Sequence, residues 1–207
     1  DHKNPSVLAK LKIPGYSDYL HPYDETHIIG IGKETVEAEE ELKEGRGLDF
    51  AWYQGVKMAI FDVSDVENPI EMHKVVIGDR GTDSDALHDH KAFLFDKKKN
   101  LLIIPITLAE IKGEKTRDNQ QGEFTFQGSY VYGITLKDGF ELKGRVTHYD
   151  DDEVFKKSGY YLRGDSAIKR NLYIENVLYT LSDSRLQLND LNDLERLKVL
   201  EFDKNEE

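Results

Sequence analysis

The densest concentration of ligand-type side chains runs from Asp79 to His90, where Asp79, Asp83, Asp85, His88, Asp89 and His90 fall close together. Carboxylate oxygens suit Ca²⁺, a hard cation that takes six to eight oxygen ligands. The pair Asp83-x-Asp85 follows the opening spacing of a calcium loop, but the glycine and distal glutamate that complete an EF-hand are missing. His88 and His90 are two apart, so on a strand they share one face. Together with Asp83, Asp85 and Asp89 they form a donor set for zinc or another transition metal. The plainer expectation is a connection between structural units, in which Asp and Ser cap turns and the imidazoles pack. On that reading no cofactor is expected, and Ca²⁺ stays the one candidate.

Other chemistry is thinner. Asp150-Asp151-Asp152-Glu153 is a run of like charges that a cation could screen, and more simply a solvated loop. Ser17, Ser84 and Ser166 lie outside any Gly-x-Ser-x-Gly context, and no glycine-rich phosphate loop is present. The lone Trp52 stands beside Phe50 and Tyr53, either as packing or as a stacking platform for a carbohydrate or peptide. Catalytic residues are not indicated.

Bulk composition narrows the partners. Hydrophobic residues make up 38% of the 207 and charged residues 33%, with 11 Tyr and 9 Phe, which favours a folded β-rich chain over disorder. A net charge of −12 repels phosphate backbones, so nucleic acid is not an expected partner. Without cysteine there are no disulfides and no thiolate metal sites. No apolar stretch is long enough to span a bilayer, and the start at Asp1 without Met reads as a trimmed or mature segment.

The elements that must position these residues repeat along the chain. Asp62-Val63-Ser64-Asp65-Val66-Glu67 returns as Asp190-Leu191-Asn192-Asp193-Leu194-Glu195, with Lys137-Asp138-Gly139 between them. Ser17-Asp18-Tyr19-Leu20-His21 returns as Ser84-Asp85-Ala86-Leu87-His88, and more faintly around Leu162. Asn4-Pro5 with Lys10 and Ile13 returns 64 positions later as Asn68-Pro69 with Lys74 and Ile77. The recurring Asp turns fix backbone N–H groups, and repetition in every unit marks them as structural.

Within the middle unit, residues 86–95 read as a strand, 101–106 as a strand buried on both faces, 128–136 as a third and 140–148 as a fourth. Pro105 predicts a bulge or a missing ladder bond. The first unit gives strands at 16–23, 27–32, 54–63 and 70–77, with a charged loop at 33–47 inside which residues 34–44 could form a short helix. The last gives 166–174, 177–181, 185–191 and 195–202. The fold class is therefore all-β: a partial β-propeller of about three four-stranded antiparallel blades plus an N-terminal extra strand. A β-sandwich or barrel is the competing architecture. Residues 1–13 would close a preceding blade, with blades at 14–78, 79–149 and 157–204.

Three motifs also carry a family resemblance. They are Ile13-Pro14-Gly15-Tyr16-Ser17-Asp18 with His27 to Gly32; Phe61-Asp62-Val63-Ser64-Asp65 with Asn68-Pro69; and Gly78 to Leu87 running on to Phe95. Together they resemble the secreted, mostly archaeal proteins with a C-terminal β-propeller domain distantly related to WD40 repeats. The resemblance implies the fold and an extracellular or cell-surface setting, and it brings no catalytic residues. The expected function is a non-enzymatic binding or scaffold module for a protein or polysaccharide. A metal-dependent hydrolase or other enzyme with its site near residues 79–90 is the alternative. Three blades cannot close a ring, so open apolar faces predict self-association of the isolated chain.

Overall fold

The computed structural model describes residues 3–157 and 164–202, the side chain of Arg46 excepted. It contains three four-stranded sheets, each a simple antiparallel meander. The first holds β1 (Tyr16–Pro22), β2 (His27–Glu37), β3 (Ala51–Asp62) and β4 (Ile70–Ile77). The second holds β5 (Leu94–Asp96), β6 (Leu101–Glu110), β7 (Glu123–Thr135) and β8 (Gly139–Val146). The third holds β9 (Arg170–Ile174), β10 (Val177–Leu181), β11 (Arg185–Asp190) and β12 (Arg196–Glu201). Two short helices, α1 (Glu40–Arg46) and α2 (Glu153–Lys157), sit in connections.

Strand β6 shows how the sheets stack. Side chains alternate across a strand, and on β6 both sides are buried. Leu102, Ile104 and Ile106 join Ile29, Ile31, Met58 and Ile60 of the first sheet in one core cluster. Leu101 and Ile103 point the other way and join Ile168 and Leu178 beside the third sheet. The second sheet is thus sandwiched between the other two, face on face, which is the packing of successive propeller blades.

The two junctions differ in chemistry. The first is an aliphatic and aromatic core that includes Tyr130, Tyr132, Phe93 and Ile134. The second carries a buried polar layer: the Gln127 amide clasps both backbone groups of Ile168, and Ser129 bonds to Asn171. His148 reaches across to Thr180 and Ser182.

The Asp turns recur as the sequence predicts. Each lies between the third and fourth strand of a blade. Asp62 accepts from Ser64 N at 2.8 Å and Asp65 from Glu67 N at 3.0 Å; Asp190 accepts from Asn192 N at 2.7 Å and Asp193 from Glu195 N at 2.9 Å. In the middle blade Thr135 Oγ1 accepts from Asp138 N, and Gly139 takes φ +73°, the left-handed conformation glycine allows.

Two expectations need correction. Residues 86–95 are not one strand. Two 3₁₀ turns, Asp85–Leu87 and His90–Ala92, occupy half of the segment, and only Leu94–Asp96 enters the sheet. The cause is local: Ser84 Oγ accepts from Ala86 N and Asp89 Oδ1 from Lys91 N, so both side chains cap turns in place of a ladder. Leu20 and Leu87 consequently do not occupy equivalent places, one lying on β1 and the other in a turn; Leu162 lies outside the described residues. Residues 7–13 form no strand within these three sheets; the blade that they were expected to close is not among the three. The segment after them is tied to the first blade instead, by Lys57 Nζ donating to Pro14 O and Gly15 N to Thr35 Oγ1, both at 2.8 Å.

Boundaries also moved. β2 runs on to Glu37 through residues expected to be loop, and the helix falls at 40–46. Pro105 causes no bulge. It lies between Ile103, which pairs with Leu94, and Thr107, which bridges to Asp83, so its missing N–H falls in the gap beyond the short β5. Ser84 Oγ donates to the Pro105 carbonyl at 2.6 Å and closes that gap.

Candidate functional site

The meander sends alternate connections to opposite ends of the blades. At one end are the tight turns 23–26, 63–69, 97–100, 136–138, 175–176 and 191–195. At the other end are the long connections 38–50, 78–93 and 111–122, together with the connection that carries α2. Propeller chemistry is carried by such loops on a rigid frame. The Asp79–His90 segment belongs to this end, as the link from the first blade to the second.

Three of its carboxylates, those of Asp79, Asp83 and Asp89, are committed to the frame. Asp79 Oδ2 accepts from Ile111 N at 2.8 Å, and its own N–H bonds to Ala109 O. The Asp83 carboxylate holds Lys33 Nζ at 3.0 Å across the blade junction. Asp89 caps the second 3₁₀ turn and pairs with Arg170 of β9, linking the segment to the third blade. Hydrogen bonding from Lys91 N, aided by the Arg170 charge, keeps Asp89 below the ordinary carboxylate range. Asp85 is held above its ordinary value by desolvation, against the pull of Arg170. His88 and His90 are exposed; the His90 ring lies 6.3 Å from that of Tyr19. Among the described residues no three His, Asp or Glu side chains converge to hold a metal ion.

Beside this segment lies a feature the sequence showed only in part. Tyr16 on β1 and Tyr53 on β3 meet edge to face at 5.6 Å, 41% and 54% exposed respectively. They are brought together by β2, whose Lys33 pairs with Tyr16 and whose Thr35 pairs with Tyr53. Behind them Arg80 lies over the Trp52 ring at 5.3 Å and donates to Tyr53 O at 3.1 Å. Phe50 packs edge-on to Trp52 at 5.1 Å. Gln54 Nε2 donates to Asp118 O at 2.9 Å and Lys115 Nζ to Gln54 Oε1 at 3.0 Å, which pins the 111–122 loop alongside. Desolvation, with Asp18 next, raises the Tyr16 hydroxyl above its usual value, so it stays protonated and able to donate. Trp52 was the one signal in the sequence; the Tyr16–Tyr53 pair depends on strand register.

The one buried imidazole among the described residues was read from the sequence only as the end of a strand. His148, 1% exposed, bonds Ser182 Oγ at 3.0 Å and Thr180 Oγ1 at 2.8 Å. Burial, reinforced by the nearby Arg185 charge, lowers its pKa to about 4. It is neutral at physiological pH, and it faces the third blade and not solvent.

Stacked four-stranded meanders define a propeller-type chain, and sequence comparison agrees. The β-propeller domain family model matches residues 1–194, so this chain belongs to the β-propeller domain family. It is 29% identical over 201 residues to an uncharacterized protein of Methanocaldococcus jannaschii, covering 97% of this chain and 24% of that one. It is 26% identical over 200 residues to an uncharacterized protein of Archaeoglobus fulgidus, covering 97% of this chain and 23% of that one. The chain spans about a quarter of the length of these relatives. No solved structure matches it. A propeller domain supports a binding or scaffold role at a coarse level. No helix among the described residues is long and apolar enough to cross a membrane.

Proposed function

We propose that this chain is a non-enzymatic binding module of a secreted or cell-surface protein, and that it binds a polysaccharide on the long-connection end of its blades. The observation that carries the reading is the exposed Tyr16–Tyr53 pair, backed by the Arg80–Trp52 stack. Aromatic faces held rigidly by strands offer apolar area at low entropic cost, and sugar rings lie flat on them. The flanking Lys33–Asp83 pair supplies hydrogen-bonding groups at the edge of the platform. The committed hydrogen bonds of the 79–90 segment support a structural role for it, joining three blades. The extracellular setting rests on the family resemblance.

Titration calorimetry against a panel of neutral polysaccharides tests this. Tyr53→Ala should weaken binding at least tenfold, about 1.4 kcal/mol, with the melting curve unchanged. Binding only to extended polypeptide would redirect the platform to a protein partner. Undiminished binding in the Tyr16→Ala, Tyr53→Ala double variant would overturn the site.

A further inference from the structure

We infer that residues 6–13 are the docking edge for a further blade: they form its fourth strand, and the other three strands are carried earlier in the same polypeptide. The sequence supplies the first reason. Asp1-His2-Lys3-Asn4-Pro5 repeats the Asp, Asn and Pro of Asp65-Val66-Glu67-Asn68-Pro69, and Lys10 and Ile13 follow at the spacing of Lys74 and Ile77. In the first blade that turn joins β3 to β4, with Asp65 accepting from Glu67 N and Asn68 Nδ2. A hairpin turn joins strands that adjoin in sequence, so the copy at 1–5 calls for a third strand directly before it.

The structure supplies two more. One is the way the chain enters the following blade. After Ile77 it turns at Gly78, φ +63°, and Asp79 N donates to Ala109 O at 2.8 Å. After Ile13 it turns at Gly15, φ +82°, and Gly15 N donates to Thr35 Oγ1 at 2.8 Å. Thr35 and Ala109 hold the same place in β2 and β6, which open at His27 and Leu101. Both turns need glycine: a Cβ on Gly15 would meet Lys33 O at 2.3 Å, and one on Gly78 would meet Ala109 O at 2.8 Å. Residues 13–15 thus enter the first blade as 77–79 enter the second. The other reason is which side chains turn inward. On β4, Val75 and Ile77 pack into the core shared with the second blade, and His73 Nε2 bonds Leu136 O there. Ala9, Leu11 and Ile13 occupy the matching positions. Ala9 and Ile13 are half-buried, and Leu11 and Ile13 line a cavity of about 520 Å³ against Leu20, Ile28 and Phe61 of the first blade.

These residues have the position of a fourth strand and no sheet to join. Among the described residues the backbone of 6–13 makes no hydrogen bond. Val7 and Leu8 are 75% and 61% exposed. An apolar edge with open N–H and C=O groups is a template for strand pairing. Blade junctions pack to the density of a protein core, and the cavity beneath Leu11 is room for the side chains that a preceding sheet would present. The turn motif favours the same polypeptide over a second copy or a separate protein, and relatives four times as long have the chain to supply the strands. The inference is independent of the polysaccharide reading.

Amide hydrogen exchange, read by mass spectrometry on peptides covering 6–13, tests this in the 207-residue chain and in the whole polypeptide that its gene encodes. In the 207-residue chain these amides should exchange at unprotected rates at every concentration. In the whole polypeptide about half of them should slow at least tenfold, because an outer strand pairs on one side only. Leu11→Lys should abolish that slowing while the amides of β6 and β7 stay protected. If that variant does not fold, Gly15→Ala, whose Cβ meets Lys33 O, replaces it. Free exchange of 6–13 in the whole polypeptide would overturn the inference. Protection that rises with the concentration of the 207-residue chain would overturn it in favour of a second copy. Protection that needs an added protein would overturn it in favour of a separate partner.

Discussion

Acidification should loosen the third blade through His148. Free histidine titrates near 6.5 and this one near 4, so the folded protein resists a proton that the unfolded chain accepts. The sign follows directly. Above pH 6.5 both states are neutral and the residue is indifferent to pH. Between pH 6.5 and 4 the unfolded state binds the proton first, and stability falls as pH falls. Below pH 4 both states are charged and the loss is complete. A shift of about 2.5 units corresponds to roughly 3 kcal/mol in all, with about 2 kcal/mol of it gone by pH 5. The cost arises where an imidazolium would lie between Thr180 and Ser182 with the Arg185 charge nearby. Aspartates held below their ordinary range, such as Asp24 and Asp96, lose their contribution at lower pH still. Their effect is common to wild type and variant, and it subtracts. The assay is urea unfolding at half-unit intervals from pH 7.5 to 4.5, on wild type and on His148→Gln, whose amide cannot titrate. Wild type should lose about 2 kcal/mol more than the variant between pH 7 and 5. Parallel stability profiles across that interval would refute the reasoning, and with it the placement of His148 inside the second blade junction.

Two further outcomes are expected. Ile104→Ala should destabilise the protein by about 2–5 kcal/mol in urea unfolding, since Ile104 is fully buried in the first junction and its truncation leaves a cavity; a cost under 1 kcal/mol would count against that junction. Calcium, zinc and EDTA should each leave the melting temperature unchanged, because Asp83 and Asp89 already hold Lys33 and Arg170. A rise with metal reversed by chelator would restore the metal site at residues 79–90, since a ligand selective for the folded state stabilises it.

What could be read from the residues was whatever is decided locally. The Asp turns are short-range hydrogen bonds, so Asp62 and Asp190 announce themselves at matching strand ends. The run Leu101 to Ile106 is apolar at every position because both of its faces are covered, and that also needs no partner to be seen. The segment 86–95 was misread for a related reason. Its apolar residues suggested a strand, while two capping side chains, Ser84 and Asp89, outcompeted the ladder. Strand β2 was cut short at Gly32 because Lys33, Glu34 and Thr35 look like loop. Their burial and pairing come from β1, β3 and the cation partners Thr82 and Asp83 some 50 positions on. The candidate site suffered most. Lys33–Asp83, Arg170–Asp89 and Tyr16–Tyr53 are all pairings across strands or blades, fixed by register and stacking. Nothing in the spacing of these residues reveals them.

Stacked blades require neighbouring residues of β6 to face different blades. Methyl-labelled NOESY spectra read this directly. Ile104 should show cross-peaks to the first-blade methyls of Ile60 and Met58, and Ile103 to Leu178 and Ile168, with no peak linking Ile60 to Leu178. Ile103 and Ile104 sharing one set of partners, or a direct Ile60–Leu178 contact, would contradict the stacked-blade arrangement.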